Sequence, residues 1–324
     1  MTSQEPAFSR RQLVVFTAWA IGLGLAVLCM GAEVALRLAG RRPAYLDPDL
    51  YIPLPDARGY GLRPGYRGLY AGGRVTVGPL GLRGRAEPGG VLLLGDSAGF
   101  GQGLDDDQTV AAQLERLLAE KGHPLPVINA GVPGYNTTLQ LAQLRLLLPQ
   151  LRPRQVVLLY VVDNDADLRP GVWVRPDGTL ELHLSQSLPS RLSRFLTRHL
   201  VTYALVRGLF RVRQMELPQE PRTPFAPDDP GWHASRQALV EMHRLLSAAG
   251  IPLAVGGIAL VQNLDALTVL EQACRAEGIP YTTLWQTRDI AEFVRRYAIS
   301  RTDSHPNAAA TARMAEALLP LIVR

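Results

Sequence analysis

The stretch from Val91 to Gly99 (Val-Leu-Leu-Leu-Gly-Asp-Ser-Ala-Gly) holds a serine placed where it could act as a nucleophile. The apolar run Val91–Leu94 predicts a short buried strand, because glycines follow it directly. Ser97 would then lie at the carboxyl end of a parallel strand, where open α/β sheets bind their ligands. Its hydroxyl is therefore a candidate to attack a carbonyl carbon. The alternative is that Ser97 only caps the next helix, which is the commoner role of a serine after a strand.

Asp303 and His305 are the acid and the base that could activate this serine. They lie close together in Asp-Ser-His-Pro-Asn (303–307), just before the last predicted helix. Residues 95–99 also match the Gly-x-Ser-x-Gly elbow of α/β-hydrolases, whose acid and base usually lie on well-separated loops. An acid and a base on one late loop indicate a different arrangement. The alternative for His305 is a loop residue ahead of that helix, with Asn307 as the N-cap.

From Val91 onward, predicted strands alternate with predicted helices, as in a parallel sheet with right-handed crossovers. We therefore predict an α/β fold, a three-layer α/β/α domain with a five-stranded parallel, flavodoxin-like sheet. The predicted strands are Val91–Leu94, Val127–Asn129, Val156–Val161, Leu253–Gly256 and Tyr281–Leu284. The predicted helices are Gln108–Lys121, Thr138–Leu148, Trp232–Ala249, Leu264–Glu277 and Ala308–Ile322.

Four segments, in order along the chain, resemble the four sequence blocks of the SGNH (GDSL-type) hydrolase family. The matching segments are Gly95-Asp96-Ser97, the glycine block at residues 129–136, Asp163-Asn164-Asp165 and Asp303-Ser304-His305-Pro306-Asn307. The resemblance extends from about Val75 to the carboxyl terminus. Residues 75–83 and the apolar amino terminus also resemble a membrane-anchored bacterial subgroup of the family.

The resemblance implies a role for each residue. Ser97 would attack an acyl carbonyl, His305 would take and return its proton, and Asp303 would orient His305. The backbone amides of Ser97 and Gly134, with the side-chain amide of Asn164, would form the oxyanion hole. Gly131 is the reserve for Gly134. The sequence contains no Cys/His cluster and no phosphate-binding glycine loop, so we predict no cofactor and no metal.

Two positions depart from the family's pattern. The acid usually stands three residues before the histidine, where this chain has Thr302, whereas Asp303 is one residue nearer. A glycine usually stands two residues before the block's asparagine, where this chain has Val162.

The amino terminus predicts a membrane anchor. Residues 1–12 form a polar tail, and Leu13–Ala32 is a run of 20 residues without charge, long enough to cross the hydrocarbon core. We expect an uncleaved transmembrane helix over 13–38. A cleavable signal peptide is the alternative, although its apolar region is usually only about 7–15 residues. Arg10 and Arg11 favour a cytoplasmic amino terminus, and Arg37, Arg41 and Arg42 oppose it.

Two further segments lie outside the predicted sheet. Residues 39–90 are rich in Gly, Pro, Tyr and Arg and predict an extended linker that ends in a strand-turn element at 75–83. In the hydrolase domain, 91–324, a lid-like insertion is expected at about 167–231. It would contain a hairpin that turns at Asp177-Gly178 and a basic helical stretch from Leu188 to Arg213. That stretch either lies on anionic headgroups or simply packs on the domain with its arginines in solvent.

Composition excludes other classes of function. The formal net charge is +5, but the basic residues are spread along the chain, and none of their runs is interleaved with aromatics as in a nucleic-acid groove. The two cysteines, Cys29 and Cys274, make no disulfide framework.

We therefore expect a serine esterase or O-acyltransferase at the bacterial inner membrane, with its catalytic domain in the periplasm. O-acylated carbohydrate of the envelope or exopolysaccharide is the first expected substrate, by family analogy. The alternatives are a lipid esterase or thioesterase, and a catalytically weak protein that binds a glycan or a partner.

Overall fold

The computed structural model describes residues 9–162, 164–168, 172–174, 180–182, 191–207, 225–226, 228–260, 264–287, 289–301 and 303–322. Asp163, Thr302 and the predicted turn at Asp177-Gly178 lie outside the described residues, as do the first eight residues and both ends (188–190 and 208–213) of the predicted basic stretch.

Helix α1 (Arg10–Leu38) is the first element, and its 29 residues give it a length of about 43 Å. Ser9 begins it with a capping box, in which Gln12 returns the hydrogen bond. None of its residues is buried. By length and composition alone, this helix is apolar enough to cross a membrane.

Residues 40–90, for which composition predicts an extended linker, contain two antiparallel hairpins. Strand β1 (Tyr51–Pro53) pairs with β2 (Tyr60–Leu62), and β3 (Arg67–Tyr70) pairs with β4 (Gly73–Thr76). The segment differs from a linker because its tyrosines meet in a common core, which the glycine and proline content does not reveal.

The tyrosines of this core are buried and keep their hydroxyl groups hydrogen-bonded, as buried tyrosines require. The hydroxyls of Tyr51 and Tyr70 lie 2.6 Å apart. The Tyr60 hydroxyl donates to the carbonyl of Pro133 (3.1 Å), and the Tyr135 hydroxyl donates to the carbonyl of Tyr60. The hairpins are thus bonded directly to the segment that contains Gly134.

The central sheet has five parallel strands, as predicted. Its strands are β5 (Val91–Gly95), β6 (Val127–Gly131), β7 (Gln155–Val161), β10 (Leu253–Leu260) and β11 (Tyr281–Thr287). They lie in the order β6–β5–β7–β10–β11, so β5 is flanked by β6 and β7. Every residue of β5, β6 and β7 is buried, which explains their nearly continuous apolar sequences.

Helices cover both faces of the sheet and give the predicted three layers. Besides the short α2 (Ser97–Phe100), they are α3 (Val110–Glu120), α4 (Thr137–Leu151), α6 (Pro230–Ala248), α7 (Leu264–Ala276) and α9 (Ala308–Ile322). Helices α3 and α9 pack on the face that carries Val91 and Leu93. Helices α4, α6 and α7 pack on the face that carries Leu92 and Leu94.

The helix ends differ from the prediction by a few residues. A 3₁₀ turn (Asp106–Gln108) precedes α3, which begins at Val110 because Thr109 caps it. Helix α4 continues to Leu151, with Pro149 in its last turn, and ends at Arg152 in the left-handed conformation.

The insertion contains both of its predicted elements in its described parts. Strands β8 (Val172–Val174) and β9 (Leu180–Leu182) pair in antiparallel fashion. Helix α5 (Arg191–His199) is followed by helical residues 201–207. Near the carboxyl terminus, helix α8 (Ile290–Arg296) leads into a small hairpin of β12 (Ala298–Ser300) and β13 (Asp303–Pro306).

Arg83 joins the amino-terminal hairpins to the loop that follows α2. Its side chain is 1% exposed, and its five N–H groups all have acceptors. Nε donates to the Asp106 carboxylate at 2.9 Å. The Nη atoms donate to four carbonyls, those of Arg74, Phe100, Gly101 and Leu104. The guanidinium also lies over the Phe100 ring.

We predict that Arg83→Met lowers the free energy of unfolding by about 3–5 kcal/mol, because it leaves the carbonyls of Phe100, Gly101 and Leu104 buried without their donor. Urea denaturation of the detergent-solubilised chain measures the change. Arg85, which is 80% exposed and paired with Glu87 and Glu115, provides the matched control. Arg85→Met should change the value by less than about 0.5 kcal/mol. Equal effects of the two substitutions would contradict the role assigned to Arg83.

Candidate active site

Ser97 is the first residue of α2, immediately after β5. The helix is capped by Asp96, whose Oδ1 accepts from the Ala98 N–H at 2.8 Å. The capping role that sequence offered as the alternative for Ser97 therefore belongs to Asp96, and the Ser97 hydroxyl is free to face another partner.

That partner is His305, which the chain supplies from a position 208 residues away. Ser97 Oγ lies 2.9 Å from His305 Nε2, and His305 Nδ1 lies 2.5 Å from Asp303 Oδ1. These partners assign the tautomer: Nδ1–H donates to Asp303, and Nε2 accepts from the serine hydroxyl. The structure thus joins the three residues in the order that nucleophilic catalysis requires.

The short spacing between Asp303 and His305 is explained by the backbone. Both belong to strand β13, and side chains two residues apart lie on the same face of a strand. Asp303 Oδ1 also accepts from the His305 backbone N–H at 3.0 Å. Because the backbone is extended, one intervening residue is enough to bring the acid to the base.

The hairpin that carries this pair is held on two sides. Asn307 caps α9 by accepting from Ala309 and Ala310, and its side-chain amide donates to the carbonyl of Ala298 in β12. On the other side, Ile299 packs against Gly103 in the loop after α2, where an added Cβ would lie 3.1 Å from Ile299 Cγ1.

The pKa values of the acid–base pair move in opposite directions. Burial lowers the pKa of His305, but the Asp303 hydrogen bond and the charges of Asp303 and Asp96 raise it by more, so it lies above its ordinary value. Burial raises the pKa of Asp303, but hydrogen bonds from His305 and Gln102 lower it by more. Asp303 is therefore ionised beside an imidazole that readily accepts a proton.

The three predicted oxyanion groups differ in their hydrogen bonding. Gly134 is in the left-handed region (φ +81°), which favours glycine at this turn. Among the described residues, neither the Ser97 N–H nor the Gly134 N–H has a hydrogen-bond acceptor. Asn164 Nδ2 donates to Asp96 Oδ2 and to the Tyr135 carbonyl, both at 3.0 Å. Asn164 is thus bonded to the residues directly next to Ser97 and Gly134, and both of its amide hydrogens have acceptors.

Gly131, the reserve for Gly134, has a different position. It ends β6 with its backbone against α2, where an added Cβ would lie 2.2 Å from the Phe100 nitrogen. Val162 stands where the family usually has glycine, and its side chain is buried in the core. The turn after it closes with the Asn164 and Asp165 N–H groups on the Val161 carbonyl.

Sequence reasoning missed two polar residues beside this site. Gln102 is 7% exposed, and its Nε2 lies 3.2 Å from His305 Nδ1. Asp96 was noticed only as part of the nucleophile block, although its two oxygens hold both the start of α2 and the Asn164 amide. The sequence offered no signal for Gln102, because its role depends on a loop that turns back toward a distant hairpin.

The arrangement can transfer a proton from a hydroxyl to an imidazole and stabilise negative charge on an adjacent oxygen. It is suited to attack on a carbonyl carbon. Within the described part of the chain, no three His, Cys, Asp or Glu side chains are grouped so as to hold a metal ion.

Comparison with known proteins places this geometry in a family. Residues 93–313 match the model of the GDSL-like lipase/acylhydrolase family. Esterase TesA of Pseudomonas aeruginosa is 37% identical over 68 residues, which are 21% of this chain and 34% of that protein, so the match spans about a third of that relative.

Solved structures of the same class are similar at low identity. The crystal structure of TesA is 22% identical and covers 72% of this chain and 97% of its own, with a TM-score of 0.42. A lipase/acylhydrolase from Enterococcus faecalis is 15% identical and covers 72% of this chain and 95% of its own, with a TM-score of 0.41. Because the family model spans more than half of the chain, the protein belongs to the GDSL-like (SGNH) lipase/acylhydrolase family and is a hydrolase of the serine type.

Proposed function

We propose that this protein is a serine-dependent esterase or O-acyltransferase in which Ser97 attacks the carbonyl carbon of an acyl ester. The observation that carries the proposal is the continuous hydrogen-bonded line from Ser97 Oγ through the His305 ring to Asp303, with distances of 2.9 and 2.5 Å. Support also comes from the family to which the chain belongs.

The reaction proceeds in two acyl transfers. As Ser97 Oγ bonds to the carbonyl carbon, its proton moves to His305 Nε2. When the carbon–oxygen bond to the leaving alcohol breaks, His305 returns that proton to the departing oxygen. Water or an acceptor hydroxyl then attacks the acyl-serine by the same route. Asp303 stays ionised and stabilises the imidazolium that forms in each half.

The developing oxyanion would be held by the N–H groups of Ser97 and Gly134 and by the Asn164 amide. Asn164 enters this role by sharing or exchanging the hydrogen bond that it donates to the Tyr135 carbonyl. Its second hydrogen bond, to Asp96, keeps the amide at the start of α2 during the exchange.

The proposed substrate is an acyl group on carbohydrate of the cell envelope or exopolysaccharide, by analogy with membrane-anchored members of the family. A lipid ester or thioester is the second candidate. It is favoured by the exposed apolar side chains Leu192 and Phe195, on an insertion helix next to the end of α1.

We also propose that α1 is an uncleaved anchor in the bacterial inner membrane, with residues 39–324 on the periplasmic side. Support comes from contacts that a cleaved segment would lose. Glu33 and Arg37 in α1 make hydrogen bonds to residues 199–202 of the insertion.

We predict that Ser97→Ala and His305→Ala each lower the rate of p-nitrophenyl acetate hydrolysis at least about a thousandfold and abolish labelling by a fluorophosphonate probe, because each removes part of the nucleophilic unit. The detergent-solubilised full chain is assayed in both ways. Ser304→Ala is the matched control, since Ser304 is exposed on the same strand between acid and base. A wild-type chain that is neither labelled nor active would overturn the enzyme and favour the alternative of a glycan- or partner-binding protein.

The pH profile tests the acid–base assignment. His305 must be neutral to accept the serine proton, so kcat/KM falls as the pH drops through the raised pKa of His305. Asp303→Asn removes the negative charge that raises this pKa and replaces the carboxylate with a neutral amide, so the acidic limb should move to lower pH. The maximal rate should also fall by up to about 10⁴, because the tautomer is no longer fixed. An acidic limb that stays in place would show that another group controls it.

Asn164→Ala should lower kcat by about 10²–10³ and leave KM nearly unchanged, because an oxyanion donor acts in the transition state and not in the ground state. Steady-state kinetics with p-nitrophenyl acetate measure kcat and KM separately. Asn136 offers a control of the same residue type, since its side chain caps α4. Asn136→Asp keeps that cap and loses only the bond that Asn136 Nδ2 donates to the Asp167 carbonyl (2.8 Å), so its kcat should fall much less than that of Asn164→Ala. A change confined to KM in Asn164→Ala would assign this residue to substrate binding.

Membrane topology is tested by fusing alkaline phosphatase, which folds only in an oxidising compartment, after Arg324. The proposed orientation predicts an active fusion in the membrane fraction of a bacterial host, still carrying its amino terminus. A fusion to residues 39–324 should be inactive, because it lacks the exporting helix. Activity of a reporter that works only in the cytoplasm would reverse the assignment.

A further inference from the structure

The insertion helices, residues 191–207, are capped by the end of α1. The Glu33 carboxylate accepts from the backbone N–H groups of Val201 (3.0 Å) and Thr202 (2.9 Å) and from the Thr202 hydroxyl (2.8 Å). These N–H groups begin the helical segment 201–207. Arg37 donates to the carbonyl of His199, the last residue of α5, at 2.5 Å. The carboxylate of Glu33 thus lies at the start of one helical segment, and the guanidinium of Arg37 lies at the end of the other. Both charges interact favourably with the helix dipoles.

The position of Glu33 in the sequence fixes how deep in the membrane its contact with residues 201 and 202 would lie. It is the first charged residue after the charge-free run Leu13–Ala32, whose length matches the ~30 Å hydrocarbon core. A helix inserted over that run places Glu33 at the boundary between hydrocarbon and headgroups. The backbone atoms bonded to Glu33 must then lie at the same level.

The insertion helices keep their shape through polar contacts between them. Ser193 Oγ lies 2.8 Å from the Tyr203 hydroxyl, and Arg207 donates to Thr197 Oγ1 at 3.2 Å. Arg198 pairs with Asp47 (3.4 Å) and Asp49 in the turn just before β1. The unit is therefore fastened both to α1 and to the segment that precedes the first hairpin.

Large apolar side chains of the same unit are exposed. Leu192 is 65% and Phe195 58% exposed, and their spacing of three residues places them on one face of α5. Leu205 (43%) and Val206 (53%) are exposed on the second segment. A helix with exposed apolar residues at the level of the headgroups has the form of an interfacial amphipathic helix.

The charge of the insertion helices indicates which lipid headgroups they would contact. Between residues 191 and 207 the sequence contains four arginines and no acidic residue. Basic residues at a bilayer surface are attracted to anionic headgroups, with about 1 kcal/mol for each one near the surface.

We infer that the insertion helices lie on the bilayer that contains α1, with Leu192, Phe195, Leu205 and Val206 in the boundary between headgroups and acyl chains. The inference rests on the proposed anchor. Its consequence is that the hydrolase domain is held in a fixed orientation on an anionic membrane surface, with Glu33 as the joint.

Spin labelling of the full chain in phosphatidylglycerol-containing nanodiscs tests the inference. Three variants, each in a Cys29→Ala background, carry a nitroxide at one position: Phe195→Cys, Leu23→Cys within α1, or Arg275→Cys. For each label, the rate of collision with oxygen is compared with the rate of collision with a nickel chelate. Arg275 is the water-exposed control, since it is 77% exposed near the end of α7, at the amino edge of the sheet. We expect the ratio of oxygen to nickel collisions to be high at positions 23 and 195 and low at 275.

The outcomes separate the anchor from the inference. A low ratio at position 195 with a high ratio at 23 overturns the inference and leaves the anchor in place. A low ratio at position 23 overturns the anchor, and the inference with it. A label at 195 that is shielded from both reagents shows that another part of the chain covers this face, which also overturns the inference. Glu33→Gln should lower the ratio at 195 and leave it unchanged at 23.

Hydrolysis of p-nitrophenyl acetate by the same samples reports on the proposed catalysis independently, because this small soluble ester does not require the membrane. Phe195→Cys should keep the wild-type rate with this ester.

Discussion

Helix α2 lies so close to strand β6 that no side chain fits between them. An added Cβ on Gly131 would lie 2.2 Å from the backbone of Phe100, and one on Gly95 would lie 3.2 Å from Gly99. This close approach is what brings Ser97 to the edge of the sheet in a defined orientation. Asp96 fixes the first turn from the other side by capping α2 and by holding Asn164. Ser97 is thus positioned mainly by the backbone contacts of α2, and less by contacts of its own side chain.

The loop after α2 connects the segment that carries Ser97 to two other parts of the molecule. Arg83 holds the carbonyls of residues 100, 101 and 104 from the amino-terminal side, and Gly73 lets β4 approach Leu104, where an added Cβ would lie 2.1 Å from the carbonyl oxygen. On the opposite side the β12–β13 hairpin packs on Gly103 through Ile299. The residues before the sheet and the last hairpin therefore meet on one short segment, next to the serine.

Carboxyl groups near the site have pKa values that are shifted in opposite directions. Burial raises the pKa of Asp165, and the nearby charge of Asp96 raises it further, although Asp165 accepts hydrogen bonds from the Val161 N–H, Gln140 and Thr137. Asp303 is held in the ionised form by His305. The Asp303 carboxylate beside His305 can therefore stabilise an imidazolium.

The sequence by itself determined the parallel sheet and the identity of the candidate site residues. Buried parallel strands must be apolar on both faces, and polar residues at their carboxyl ends stand out against such runs. It could not determine the structure of residues 40–90, because burial of Tyr51, Tyr60 and Tyr70 depends on Phe100 and Tyr135, which come from the hydrolase domain.

Only the tertiary structure decided whether Asp303 reaches His305, because the answer depends on an extended backbone formed by pairing with β12. It also assigned the helix cap to Asp96, placed Gln102 beside the acid–base pair and joined Glu33 to the insertion. The last two contacts connect residues that are 203 and 168 positions apart, and local patterns contain no information about such separations. The apolar sequence of each strand shows that the strand is buried, whereas long-range packing decides which loops come into contact.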